Sequence, residues 1–150
     1  MSNWTSITSG LVTAGKSSSL LASVQSLAAA RGDADPVPEM IAEVTATLRA
    51  CVSSGNRLDQ DTTKIPNSLK GLAIRMITLR LKDYIEMEMS PFEKSQADAD
   101  RGYLNRINDD KIRFEEPDQP AGSAEMQPDN ALEIASRRRR EMTRGKMRGL

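Results

Sequence analysis

Eight consecutive residues, Gly10-Leu11-Val12-Thr13-Ala14-Gly15-Lys16-Ser17, spell the phosphate-loop pattern GxxxxGK[ST]. In such a loop the backbone amides cradle phosphates, Lys16 would reach the terminal phosphates and Ser17 would hold magnesium. That chemistry needs a buried strand before the loop and a second apolar strand ending in a magnesium-organising aspartate. What precedes Gly10 is a short polar run containing Trp4 and Ile7, and no downstream run of four apolar residues ends in aspartate. The match therefore reads as a flexible lead-in to a helix. Nucleotide binding at residues 10–17 is kept as an alternative, to be tested by saturable ATP binding that Lys16→Ala abolishes.

Other chemistries are thinly supplied. The chain has no histidine, which removes the commonest general acid/base, Ser-His-Asp and Cys-His nucleophile pairs, and the usual zinc and haem ligands. Cys51 has no second thiol to pair with, lies on an apolar helix face, and reads as a small buried hydrophobe in a reducing interior. Paired acids, Asp98 with Asp100, Asp109 with Asp110 and Glu115 with Glu116, lack the oxygen-rich loop spacing of a calcium site and read as a solvated face. No cofactor and no enzymatic activity is expected. The strongest local signal is Arg137-Arg138-Arg139-Arg140, followed by Arg144, Lys146 and Arg148. Four consecutive arginines on a helix point all round it, so they suit an acidic groove or a phosphate backbone better than one helix face.

The elements that must position these groups are helical. Residues 17–31 place Leu20, Leu21, Val24, Leu27 and Ala28 at helical spacing and stop at Gly32. Asp35 and Pro36 supply an N-cap and first-turn proline for a second helix, with Val37, Met40, Ile41, Val44, Leu48, Cys51 and Val52 on one face and an end near Ser54 and Gly55. From Pro66 to Ile85 apolar residues occupy well over half the circumference, which predicts a central helix contacted from several sides. Within that arc Arg80 and Asp83 are expected to form an ion pair, internal or between subunits. Ser90-Pro91-Phe92-Glu93 is a capping box opening a fourth helix whose Phe92, Ala99, Tyr103 and Ile107 share a face. Gly102 costs that helix about 1 kcal/mol and is taken to mark a close backbone contact. No strand is expected. The fold class is all-α, a small bundle of about four helices with an extended C-terminal arm.

Charge divides the chain further. Residues 1–85 carry nine basic and seven acidic groups, residues 86–136 five and thirteen, and residues 137–150 seven and one. A neutral protein is thereby split into an acidic middle and a basic tail suited to an acidic surface, a neighbouring subunit or nucleic acid. The organisation read from this is a helical domain over 1–114, a proline-rich linker over 115–130 and a basic arm over 131–150. The arm offers Leu132, Ile134 and Met142 but is too short to be stable as a helix by itself. The polar loop containing Asn56, Arg57, Asp59, Asp61 and Lys64 is expected to project toward a neighbouring subunit or the next component of an assembly. No apolar run suggests a membrane span, and no signal core is visible at the N-terminus.

The block Ile65-Pro66-Asn67-Ser68-Leu69-Lys70-Gly71-Leu72-Ala73 through Arg80-Leu81, with Tyr103-Leu104-Asn105-Arg106-Ile107-Asn108-Asp109-Asp110-Lys111-Ile112 after it, resembles the head-to-tail adaptor proteins of tailed bacteriophages, in particular the Mu-like branch. The opening Trp4-Thr5-Ser6-Ile7-Thr8 and the run Asp35-Pro36-Val37-Pro38-Glu39-Met40-Ile41 are similar to the start of that family, so the likeness spans roughly residues 4 to 117 and rests on order and spacing. Asp110 stands where the family pattern has glycine before the lysine, and the basic tail is longer than the pattern requires. The resemblance implies a homo-oligomeric ring, commonly of twelve copies, in the virion neck beneath the portal protein. It would extend the channel through which genome DNA passes without sequence-specific binding, and present a platform to the next tail or neck protein. It also implies that the arm, with Leu132, Ile134, Arg137, Arg138, Arg139, Arg140, Met142, Arg144, Lys146 and Arg148, binds the portal. A DNA-binding helical module using the basic tail is the other alternative; it would bind duplex DNA as a free monomer with steep salt dependence.

Overall fold

The computed structural model describes residues 2–14 and 17–121. Its elements in chain order are strand β1 (Trp4–Ser6), helix α1 (Ser9–Thr13), α2 (Ser18–Arg31), α3 (Val37–Val52), strand β2 (Lys64–Pro66), a 3-10 turn (Asn67–Leu69), α4 (Lys70–Tyr84) and α5 (Pro91–Asn108). The fold is mostly helical but not all-α, because β1 and β2 pair antiparallel with Thr5 opposite Ile65. Three-residue strands are too short to show alternation, and what holds these two is the full burial of Trp4 and Ile65. The expected lead-in is shaped as well. Thr8 caps α1, its Oγ1 accepting the Leu11 N–H at 3.4 Å, and Val12 is fully buried.

Helix ends follow local chemistry. At Gly32 the backbone turns left-handed, φ 76°, and the N–H groups of Gly32 and Asp33 close the end of α2 on Ala29 and Ala28 carbonyls. Pro36, not Asp35, holds the N-cap position of α3; Asp35 stands one residue before it, its Oδ1 accepting the Val37 N–H at 3.0 Å. The long third helix begins at Lys70 rather than Pro66, since Pro66 belongs to β2 and residues 67–69 take the tighter 3-10 form. The capping box forms as expected: Ser90 Oγ accepts the Glu93 N–H, and Glu93 Oε2 accepts the Ser90 N–H at 2.8 Å.

The centre of the bundle is shared. Leu72, Ala73, Ile77 and Leu81 bury the inner face of α4, but α3 is the helix that touches all the others and β2, through Val37, Val44, Leu48 and Val52. The excess width of the α4 arc is not consumed by packing: Ile74, Met76 and Leu79 stay half-buried. On α5 the inward line of the first half runs through Glu93, Gln96, Ala97 and Asp100, which leaves Phe92 76% exposed and Ala99 outside. Only from Tyr103 to Ile107 does the expected face point in. A Cβ built on Gly102 meets open space, so that glycine marks no close contact.

Candidate interaction surfaces

Arg49 organises one end of the molecule. It lies on the last turn of α3, 9% exposed, with its guanidinium 5.8 Å from the Trp4 ring centroid. It forms no ion pair with a carboxylate among the described residues. Instead Nη1 donates to the carbonyls of Asp61 (2.9 Å) and Lys64 (2.6 Å), and Nη2 to that of Asp59 (2.7 Å). Planar guanidinium geometry allows one side chain to satisfy three converging carbonyls, which ammonium on a flexible stem does less well. The polar loop is thereby wound around Arg49 instead of projecting freely.

Asp59, 1% exposed, ties the same loop to the C-terminal end of the described chain. Its Oδ1 accepts the Asp61 N–H at 2.9 Å and its Oδ2 the Gln119 N–H at 3.2 Å. Gln60 N–H donates to the Gln119 carbonyl and Ala121 N–H to the Leu58 carbonyl, both at 2.7 Å. Residues 115–121, expected to begin a linker, therefore belong to the folded unit. They also pin the N-terminus: Trp4 Nε1 donates to the Glu115 carbonyl at 3.1 Å, and Asp118 accepts the Ser2 hydroxyl and the Asn3 N–H. Those two donors hold the Asp118 carboxyl below its ordinary range, as the Thr63 N–H and hydroxyl do for Asp61. Of the other loop residues, Asn56 donates Nδ2 to the Ile112 carbonyl and accepts the Phe114 N–H, while Arg57 is exposed.

At the turn after α5, Asp110 adopts φ 57°. Asp is among the few side chains that visit this region, and a Cβ built on Gly55 would fall on the Asp110 carboxylate, so Gly55 leaves the room that carboxylate occupies.

A second region, on α4 and the helices beside it, is organised by ion pairs of differing exposure. Arg75 grips Asp100 through two bonds, Nε to Oδ2 at 2.9 Å and Nη2 to Oδ1 at 2.7 Å, with Gln96 adding a third at 3.2 Å. The Arg75 fork holds the Asp100 carboxyl below its usual range and raises the guanidinium in turn. Asp100 is thus buried and paired, not part of a solvated face. Lys82 pairs with Glu93, whose carboxyl it lowers together with Ser90. Arg80 pairs with Glu43 on α3 and not with Asp83, because it lies on the outer flank of α4, nearly half exposed, where α3 presents the nearer carboxylate. Between α4 and α5 lies a cleft lined by Ile74, Thr78, Leu79, Phe92 and Ala97.

The phosphate-loop residues do not assemble as a phosphate cradle where they are described. Gly10 to Thr13 are helical, and the buried Ser17 hydroxyl shares a hydrogen bond with Thr78 at 3.1 Å. Gly15, Lys16 and every residue assigned to the arm lie outside the described residues. Among the described residues no group of three or more His, Cys, Asp or Glu is arranged to hold a metal ion, and no helix is long and apolar enough to cross a membrane. Arg49, Asp59, Arg75 and Asp100 were not marked by the sequence as a set. Their signal, a charged residue beside an apolar stripe, is the one ordinarily given by a solvated flank. Comparisons with protein families, with curated proteins and with solved structures give no match to this chain.

Proposed function

We propose that this chain is a structural head-to-tail adaptor subunit of a tailed bacteriophage, acting as a ring beneath the portal. The observation that carries the reading is the fastening of the polar loop to residues 115–121. Ala121, the last described residue, donates its N–H to the Leu58 carbonyl, and the Gln119 N–H donates to the carboxylate of Asp59. An adaptor needs a rigid platform, and the loop stapled on both sides supplies one. The left-handed backbone at Asp110, where the family pattern has glycine, supports the resemblance at the position that departs from it in residue type. Separated acidic and basic lobes suit stacked rings, in which complementary potentials fix register.

The arm, with Arg137 to Arg140, Arg144, Lys146 and Arg148, binds the portal by charge and by Leu132, Ile134 and Met142. The test is reconstitution with portal rings. Intact protein forms rings visible by negative-stain microscopy and binds the portal, and chain truncated after Glu125 stays folded but does not bind. Portal binding by the truncated protein at undiminished affinity removes the arm from this role. Tight duplex DNA binding by the free monomer, with steep salt dependence and no portal binding, favours the DNA-binding alternative.

A further inference from the structure

The apolar arc of α4 is wider than its neighbours cover. On the side toward α5, Ile74 and Leu79 stay half-buried, and α5 is tied across by Arg75–Asp100 and Lys82–Glu93. The resulting cleft runs past Phe92 to the turn between the two helices, where Met87 and Met89 are 49% and 39% exposed. Leu79 lines both the cleft and the hollow of about 450 Å³ at that turn. Around the methionines stand Asp83, Glu86 and Glu88, none of which enters an ion pair among the described residues, and one basic group, Lys94. Glu86 closes α4 with φ 55°, the conformation that Gly32 supplies at the end of α2, so a carboxylate occupies a backbone position that glycine would take without strain.

We propose that this acidic methionine lip is the docking site for the protein's own C-terminal segment, residues 131–148. The segment has the complementary composition: Leu132, Ile134 and Met142 for the apolar floor, and Arg137 to Arg140 for the three unpaired carboxylates. Methionine side chains adapt to irregular apolar partners, which suits a surface that must both hold and release a segment. The tether reaches. Residues 122–136 extend to about 50 Å, whereas a domain of this size is about 35 Å across. Tethering also selects the occupant, because a segment joined to its site through a short stretch of chain has an effective concentration near millimolar. At micromolar protein the chain's own segment therefore outcompetes that of a second copy. The docking goes beyond the adaptor reading and does not rest on it; under that reading the portal competes with the lip for the arm.

The experiment is hydrogen exchange on the full chain, following residues 131–148. Their exchange is slowed about tenfold relative to the same segment as a free peptide, the factor expected when the effective concentration is ten times the segment's own Kd. The slowing is unchanged between about 1 and 100 µM protein, as an intramolecular contact requires, and lessens with added salt. Replacing Asp83, Glu86 and Glu88 with lysine abolishes it. So does replacing Arg137 to Arg140 with glutamine, a change that leaves residues 2–121 untouched. Slowing that rises with concentration alongside a dimer mass assigns the lip to a second copy and overturns the proposal. Free-peptide exchange rates in the intact chain, or slowing that survives both sets of substitutions, also overturn it. Portal binding is measured separately, so failure of the adaptor reading leaves this result standing.

Discussion

Arg49 and Arg75 lie on adjacent helices beside the same core, yet they are satisfied in opposite ways. Arg49 is almost wholly enclosed, stacked toward Trp4, and gives its hydrogens to three backbone carbonyls of one loop. Arg75, with 46% of its side chain exposed, gives its hydrogens to a carboxylate on a separate helix. The first arrangement fixes backbone: loop, N-terminal strand and residues 115–121 share one network, and none of them can shift without uncovering a buried charge. The second fixes a distance between two helices but leaves their facing apolar residues partly unfilled. A fastened backbone and a partly open apolar seam are thus built with the same residue type, and the acceptor decides which results.

The largest expected effect tests the fixed end. Arg49→Ala leaves the carbonyls of Asp59, Asp61 and Lys64 without their common donor, and unfolding by urea should show a loss of about 3–5 kcal/mol, as expected when several enclosed acceptors each lose a partner at about 1–3 kcal/mol. Arg49→Lys should recover only a small part, because an ammonium cannot reproduce the fork. If Arg49→Ala costs no more than Arg75→Ala, the distinction between the two ends fails.

Next in size is the helix clamp. Arg75→Ala or Asp100→Asn should each cost about 1–3 kcal/mol, as for hydrogen bonds to charged groups with partial solvent access, and the double variant should cost little more than either alone. A strictly additive cycle would mean that the two side chains do not act as a pair. The same carboxylates set the acid limit. Asp61, Glu93, Asp100 and Asp118 all have carboxyls held below their usual range when folded. Their stabilisation is present above the unfolded carboxylate range, near pH 4, and is lost as pH falls through the lower folded values. With no histidine in the chain, stability should be nearly flat from about pH 5 to 8 and fall below about pH 4, and Asp100→Asn should make the acid slope shallower. A stability maximum that moves between pH 6 and 7 would contradict this.

These two regions also separate what local sequence can disclose from what it cannot. Apolar spacing places Leu20, Leu21, Val24, Val44 and Leu48 in the core, and the Ser90–Glu93 capping box and Gly32 mark helix ends, because each of those signals acts within a few residues. Arg49 was invisible because its acceptors are carbonyl groups, which every residue possesses. Asp59 read as loop because its partner Gln119 lies 60 residues away. The spacing within α4 suggests an internal or inter-subunit partner for Arg80 because apolar residues surround it, whereas the helices packed on α4 bury only Leu72, Ala73, Ile77 and Leu81. The unfilled part of that arc is also where the cleft lies, so the same overestimate hid the open end.

A smaller effect belongs to the helix that borders this cleft. Gly102 is on α5 with no neighbour that an added Cβ would meet and no positive φ, so it contributes flexibility without a packing reason. Gly102→Ala should raise stability by about 0.5–1 kcal/mol. A loss in thermal melting would mean that the added methyl group strains α5 and that the space beside Gly102 is not open.

The smallest effect on stability is expected where the surface is most open. Phe92→Ser removes a ring that is 76% exposed, and Met87→Ser and Met89→Ser also remove exposed side chains, so each should change unfolding free energy by about 0.5 kcal/mol or less. Chemical denaturation of the three variants together would reveal whether the apolar lip is part of the fold after all. If the triple variant loses several kcal/mol, these side chains are packing residues and the two ends of the molecule differ in degree only. If stability holds, the lip is apolar surface that the isolated fold does not use. Exposed apolar side chains that contribute nothing to folding, two of them beside Asp83, Glu86 and Glu88 and the third at the mouth of the adjoining cleft, are the composition of a surface built for a partner rather than for a core.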